Sequence, residues 1–303
     1  MNLFPLIFGK KAKEKFKYYK RLLRFYAVKL LLDLLKKATV PSISKIAHLL
    51  MKIMPVIFKH ELKRASELLP EEFQGKRSKI LHGMIANQAN NLLEIIFYEN
   101  LLAHNPDFIT ISGIERLEKA RKEGRGAILL SAHFGNWELV GYKLAELGFD
   151  MNVIARPQAI KQMTELMNEF REKRGVKILM KENLTASLKI LKQNGFVGIV
   201  SDLNAREKGW QVDFFGRKAS FYIAPVLLAM RSKAPIFPTF IERKADGSHF
   251  ITIQEPLIFS SEEKRSQRVQ KYVNRFIEII RKRPDHWVWF HERYHKAYLG
   301  QAE

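Results

Sequence analysis

From about residue 107 onward, apolar residues come in short runs separated by longer stretches with helical spacing. The runs at 108–112, 126–132, 151–154, 176–179, 196–201, 236–240 and 250–254 predict strands. Helical patterns lie between several of them and return over 269–282. This alternation predicts an α/β fold: a largely parallel or mixed sheet with helices on both faces. Before residue 107 the pattern is helical throughout. One segment covers 10–26 and a second covers 43–58, after a break at Pro41. Leu68-Leu69-Pro70 marks another break, and 79–102 reads as a long helix. Asn87, Gln88, Asn90 and Asn91 interrupt that helix and are expected on its exposed surface. The chain thus divides into a helical N-terminal region, 1–105, and one continuous α/β region, 106–303, with no internal repeat or low-complexity linker.

The stretch 126–148, GAILLSAHFGNWELVGYKLAELG, carries the clearest chemistry. A short apolar run closed by small residues reads as a buried strand. His133 to Asn136 reads as a turn. A helix follows, with Asn136 at its N-cap, Leu139, Val140, Leu144 and Leu147 on an apolar stripe, and Gly148 as its stop. His133 therefore sits at a strand end and Glu138 in the first helical turn. Open α/β sheets bind ligands at that edge. An imidazole held by a carboxylate takes a proton from a hydroxyl at neutral pH. The turn lets His133 and Glu138 converge, so that Glu138 orients His133. The alternative stands beside it: His133 ends a strand, and Glu138 only favours the helix N-terminus.

Charge and cysteine content narrow the partners. The 303-residue chain has 52 Lys and Arg against 31 Asp and Glu, a formal net charge of +21. A chain this basic expects an anionic partner: nucleic acid, anionic lipid or an acidic carrier protein. Cysteine is absent, which excludes disulfides, zinc–thiolate sites and thiol nucleophiles. The N-terminus has apolar residues first and charges after, the reverse of a signal peptide. No run of 18 uncharged residues occurs, so no ordinary transmembrane helix is predicted. Segment 10–26 instead interleaves Lys and Arg with Phe16, Tyr18, Tyr19, Phe25 and Tyr26, and the leucine-rich 30–35 and the segment 43–58 follow. Such helices lie in a bilayer interface; the other reading is a helical cap with a solvated basic face.

HFGNWE resembles the H-x4-D/E motif of the glycerolipid acyltransferase superfamily, and its Glu form resembles the bacterial lipid A late acyltransferase family. The segments that follow are similar too: Arg156-Pro157, REKRG from Arg171, Asp202 after a later strand, VDFFGRKA, LLAMRSKAPIFPTF and WVWFHERY. They keep one order over roughly residues 55–298. The resemblance implies an O-acyltransferase at the cytoplasmic face of a bacterial inner membrane; the family often has a membrane-spanning helix near the N-terminus, whereas the charged segments here predict peripheral or monotopic attachment. Its donor would be a fatty acyl thioester, on acyl carrier protein, and its acceptor a hydroxyl of a glycolipid such as a lipid A precursor. It implies His133 as the base, with no cofactor and no metal, because the thioester is already activated. Its basic surface would meet the acidic carrier and anionic membrane lipids rather than nucleic acid.

Further site residues follow from position. Arg156 follows the strand ending at Ile154, and Asp202 follows Ser201, so both fall at the sheet edge of His133. Arg156 and Arg171 suit a phosphate or a carbonyl oxygen that gains charge. Asp202 suits a hydroxyl or one of these arginines. Residues 211–219 read as a turn around Gly216, with Phe214 and Phe215 against an acyl chain and Arg217 toward an acidic donor. The family is the reason Arg156, Arg171 and Asp202 outrank ordinary structural ion pairs; with Asn136 and Arg217 they are the expected substrate-binding residues. His291-Glu292-Arg293-Tyr294-His295 spells the H-E-x-x-H zinc motif, but the usual downstream third ligand is missing, so it reads as chance. P-loop and G-x-S-x-G patterns are absent. Competing functions are an acyltransferase for another glycolipid or a lysophospholipid and, from another class, a basic nucleic-acid-binding protein.

Overall fold

The computed structural model describes residues 39–180 and 184–290, together with 15, 16, 18, 19, 21–23, 25, 26, 29, 30 and 33. His291 and His295 of the zinc-like motif lie outside the described residues.

The N-terminal region is helical: α1 (Val40–Ile57), α2 (Lys59–Leu68), a 3-10 turn (Glu71–Lys76), α3 (Arg77–Ile96) and α4 (Tyr98–His104). Pro41 stands in the first turn of α1, where its missing N–H costs nothing. The long helix expected over 79–102 is two helices, because Phe97 leaves helical geometry at φ −102°, ψ 24°. α1 is long and apolar enough to cross a membrane by length and composition, although Lys45 and Lys52 interrupt it. It packs through Ile43 and Ala47 against Leu93 and Phe97 and exposes Leu49, Ile53, Val56 and Ile57 on its outer side.

The α/β region runs β1 (Ile109–Ser112), α5 (Ile114–Lys122), β2 (Ala127–Ser131), α6 (Trp137–Glu146), β3 (Met151–Ala155), α7 (Lys161–Glu172), β4 (Lys177–Met180), α8 (Leu184–Lys192), β5 (Phe196–Val200), β6 (Trp210–Phe214), β7 (Arg217–Phe221), α9 (Ala224–Ser232), β8 (Ile236–Arg243), β9 (His249–Ile253) and α10 (Arg265–Lys282). Seven strands form one sheet in the order β1-β9-β8-β2-β5-β3-β4. All neighbours are parallel except β8 and β9. β2 is central and wholly buried. Ile128 and Leu130 face a core layer with α8, α9 and α10, while Ala127 and Leu129 face one with α5 and α6. Both faces of β2 are thus covered, as its unbroken apolar run predicts.

The predicted strands recur with ends shifted by a few residues. The 211–219 segment, expected as a turn around Gly216, is most of an antiparallel hairpin, β6 with β7. Phe215 at φ 55° and Gly216 at φ 75° form its two-residue loop, and positive φ at both positions matches the twist of a tight hairpin. Short β-runs that include Asp213, Arg217 and Lys218 carry too little apolar alternation to declare themselves.

Candidate active site

Strand order builds the site. β2 and β5 are parallel neighbours with Ser131 opposite Val200, and the ladder continues as Ser201 N–H donates to Ser131 C=O at 3.0 Å. His133 and Asp202, each just beyond its strand, therefore emerge side by side. His133 Nδ1 lies 2.6 Å from Asp202 Oδ1, and the His133 backbone N–H donates to Oδ2 at 3.0 Å. Trp287 Nε1 donates to the same Oδ2 at 2.8 Å. Asp202 is 1 % exposed, and His133 lines a cavity. A carboxylate on Nδ1 favours the tautomer with the proton on that nitrogen, which gives Nε2 the lone pair that can take a proton.

The sequence pairs His133 with Glu138; the structure gives the Nδ1 position to Asp202 and turns Glu138 to Arg171. Arg171 Nε donates to Glu138 Oε2 at 2.9 Å and Nη2 to Oε1 at 2.6 Å, a two-pronged ion pair across α6 and α7. Burial works against the Arg171 cation, but Glu138 outweighs it and holds the guanidinium above its usual range. Burial, with Glu138 nearby, also pushes the Tyr142 phenol up. His133, Glu138, Arg156 and Arg171 all line one cavity. Arg156 sits at its exposed side, with Nη2 donating to Tyr222 Oη at 2.5 Å and its guanidinium over that ring. Arg174 lies elsewhere, among Tyr98, Tyr142 and Phe170 and paired with Glu99, so Arg171 is the cavity arginine of the REKRG segment. Arg217 opens β7 and does not line the cavity.

The cavity has a volume of about 840 Å3, in the upper part of the range of about 300–1,000 Å3 for ligand pockets. From His133 it reaches between α6, α7 and the sheet, where Val140, Gly141, Met151, Val153, Val176 and Gly198 give it apolar walls. One end is polar and reactive; the other is hydrocarbon-like.

The turn itself is locked. Gly135 has φ 59°, and a Cβ there would stand 1.9 Å from Ile241 C=O, so only glycine fits. Its N–H donates to His286 C=O at 2.9 Å, and Val288 N–H donates to His133 C=O at 3.2 Å. Asn136 occupies the N-cap position, but its side chain caps nothing. Its amide donates instead to Glu94 Oε2 at 2.9 Å and Asn91 C=O at 3.2 Å. Asn136 is 1 % exposed and does not line the cavity.

Asn87 and Asn91, expected on an exposed helix surface, are buried with Glu94. The positions Ile80, Met84, Asn87, Asn91 and Glu94 are spaced four, three, four and three apart: one core-facing stripe of α3. That spacing was the signal in the sequence. Arg243 from β8 pairs with Glu94, and its Nη2 donates to Asn91 Oδ1 at 2.6 Å while Nε donates to Asn87 Oδ1 at 3.2 Å. Burial raises the Glu94 carboxyl, but Arg243 and His249 overcome that and hold it low. His249 is pushed down, chiefly by burial, and so is a neutral ring donating to Glu94 at 3.0 Å rather than a cation. Arg243, His249 and Asn91 lie outside the motifs that the sequence brings forward, and Trp287 opens the WVWFHERY segment without being singled out there. Among the described residues, no group of three or more His, Asp or Glu can hold a metal ion.

Comparison with known proteins fits this geometry. The chain is 24% identical over 182 residues to phosphatidylinositol mannoside acyltransferase of Mycobacterium tuberculosis, covering 58% of this chain and 57% of that protein. The enzyme of the same name from Mycolicibacterium smegmatis is 26% identical over 144 residues, 46% of this chain and 47% of that one. Lipid A biosynthesis palmitoleoyltransferase of Escherichia coli is 24% identical over 195 residues, 63% of each. The chain thus matches about half to three fifths of the length of these relatives. The profile of one family matches residues 9–296, nearly the whole chain. By that match, the chain belongs to the bacterial lipid A biosynthesis acyltransferase family.

Proposed function

We propose that this protein transfers a fatty acyl group from an acyl thioester, carried on acyl carrier protein, to a hydroxyl of a glycolipid, most simply a lipid A precursor. The carrying observation is the His133–Asp202 pair, at 2.6 Å, opening onto a cavity with apolar inner walls. The acyl chain lies between α6 and the sheet, and its thioester carbonyl stands at His133. His133 Nε2 takes the proton of the acceptor hydroxyl as its oxygen bonds to the carbonyl carbon. Asp202 holds the imidazole and stabilises the imidazolium. The oxyanion is met by backbone N–H groups of the turn or by the cavity arginines, with Glu138 fixing Arg171 in place. As the C–S bond breaks, the proton passes from Nε2 to the thiolate, leaving an ester and a free carrier thiol. The thioester supplies the activation, so the reaction calls for no cofactor.

The exposed apolar side of α1 seats the protein at the bilayer interface, at the cytoplasmic face of the inner membrane where carrier and acceptor meet. The excess of cations serves the acidic carrier and anionic lipids. A second acceptor is favoured by a specific observation: the mycobacterial relatives are acyltransferases for phosphatidylinositol mannoside, another anionic glycolipid. The test is transfer of labelled acyl groups from acyl carrier protein to a panel of glycolipids and lysophospholipids, with His133→Ala beside the unchanged protein. Transfer to a lipid A precursor, reduced by about 10²–10⁴-fold in the variant, is expected. Transfer to phosphatidylinositol mannoside alone would change the acceptor. Equal turnover by folded His133→Ala would sink the mechanism.

A further inference from the structure

Behind the His133–Glu138 turn, on residues that do not line the cavity, lies a buried polar cluster whose bonds converge on backbone. Asn91 Nδ2 donates to Gly135 C=O at 2.7 Å. Asn136 Nδ2 donates to Asn91 C=O and to Glu94. Arg243 ties Asn91, Glu94 and Asn87 together, and Glu94 also accepts from His249. A buried ion pair in place of apolar packing seldom adds stability. Three polar residues on the core stripe of α3 therefore need a reason other than stability.

The geometry points to Asn91, Glu94 and Arg243 as positioning residues: a clamp that fixes the turn carrying His133 and Glu138. This rests on the transfer reaction proposed above. The peptide bond between Gly135 and Asn136 is trans, so Gly135 C=O held toward Asn91 turns the Asn136 N–H the opposite way. The clamp thus fixes the exit from β2, where His133 stands, and the entry to α6, which carries Trp137 and Glu138 into the cavity. Displacing catalytic groups by about 1 Å lowers turnover by about 10²-fold. The bond to Gly135 C=O is the one that matters most, because it acts on the backbone between the two groups.

Asn91→Asp isolates it. The variant keeps size and an oxygen for Arg243, loses the N–H that serves Gly135 C=O, and sets a carboxylate oxygen against that carbonyl. Two quantities are read on the full chain: steady-state transfer, and amide hydrogen exchange of the 133–138 turn. The expected result is kcat lower by about 10–100-fold, with KM for donor and acceptor within about twofold. Exchange in the turn, including the Gly135 N–H now bonded to His286 C=O, should be at least about tenfold faster, with β2 and β5 unchanged. If Asn91→Asp does not fold, Glu94→Gln, which still offers Asn136 an acceptor, is read the same way. Folded variants with unchanged kcat and exchange overturn the clamp. So does faster exchange spread evenly over the sheet, which marks a role in stability alone. If the unchanged protein transfers no acyl group, the reaction falls, while the exchange measurement still decides whether the turn is clamped.

Discussion

Three groups meet on Asp202: the imidazole of His133, its backbone N–H and the indole of Trp287. The carboxylate is thereby fixed in orientation where it is buried. Asp202→Asn keeps the shape and removes the charge, and an amide in that place also disturbs which ring nitrogen holds the proton. We expect kcat to fall by about 10²–10⁴-fold while the melting temperature changes little, measured by labelled transfer and thermal unfolding. His133 and Asp202 were each legible in the sequence, because each ends an apolar run and so marks the ligand edge of a sheet. Their pairing was not. It depends on β2 and β5 being neighbours, although two strands and three helices separate them in the chain. Glu138 is nearer to His133 in sequence, but the first turn of α6 carries it toward α7 and Arg171. Asn136 shows a similar limit: its type suits an N-cap, yet a buried carboxylate behind the turn takes its amide.

Among elements, α6 and β5 each carry an interior glycine that faces the cavity. Gly141 and Gly198 both line the cavity, and neither has positive φ, so backbone geometry does not require them. A glycine inside a helix costs about 0.5–1 kcal/mol relative to alanine, and one inside a strand marks a close approach. Here they leave room. A methyl on Gly141 would touch Val176 at 3.5 Å, and one on Gly198 would touch Val153 at 3.3 Å. Gly141→Leu should therefore shorten the accepted acyl chain: activity with long-chain donors drops by at least about tenfold and activity with shorter ones is kept. Competition between carrier-bound donors of graded length reads this directly, and an unchanged preference would place the chain elsewhere. The sequence displayed most of the strands, since buried parallel strands are continuous apolar runs. It hid the β6–β7 hairpin, whose two strands are short and carry charged residues. It also hid the junction at Phe97, where helical spacing persists across a change of direction.

For the whole molecule, the buried cluster joins the helical region to the sheet: Asn87, Asn91 and Glu94 come from α3, Arg243 from β8 and His249 from β9. Global stability should carry its signature in pH. His249 faces Glu94, Arg243 and His286, and its folded-state affinity for a proton lies below the ordinary imidazole value of 6.5. The unfolded chain thus binds this proton first, so stability is lost as pH falls below about 6.5. Glu94, held below its ordinary 4.5, adds a second loss at lower pH, as acid reaches its depressed folded value. Thermal unfolding from pH 8 to pH 5 should show a declining melting temperature, and His249→Gln should flatten the decline. An identical slope in the variant would remove His249 from the account. The 840 Å3 cavity bears on the same balance. Its inner walls belong to the layer between α6 and the sheet. Under the transfer proposed above, a hydrocarbon tail entering there would pack as a core side chain does, delivered from outside and removed at each turnover. Donor bound in this way would add to the stability of the folded state, so the melting temperature should rise with donor concentration.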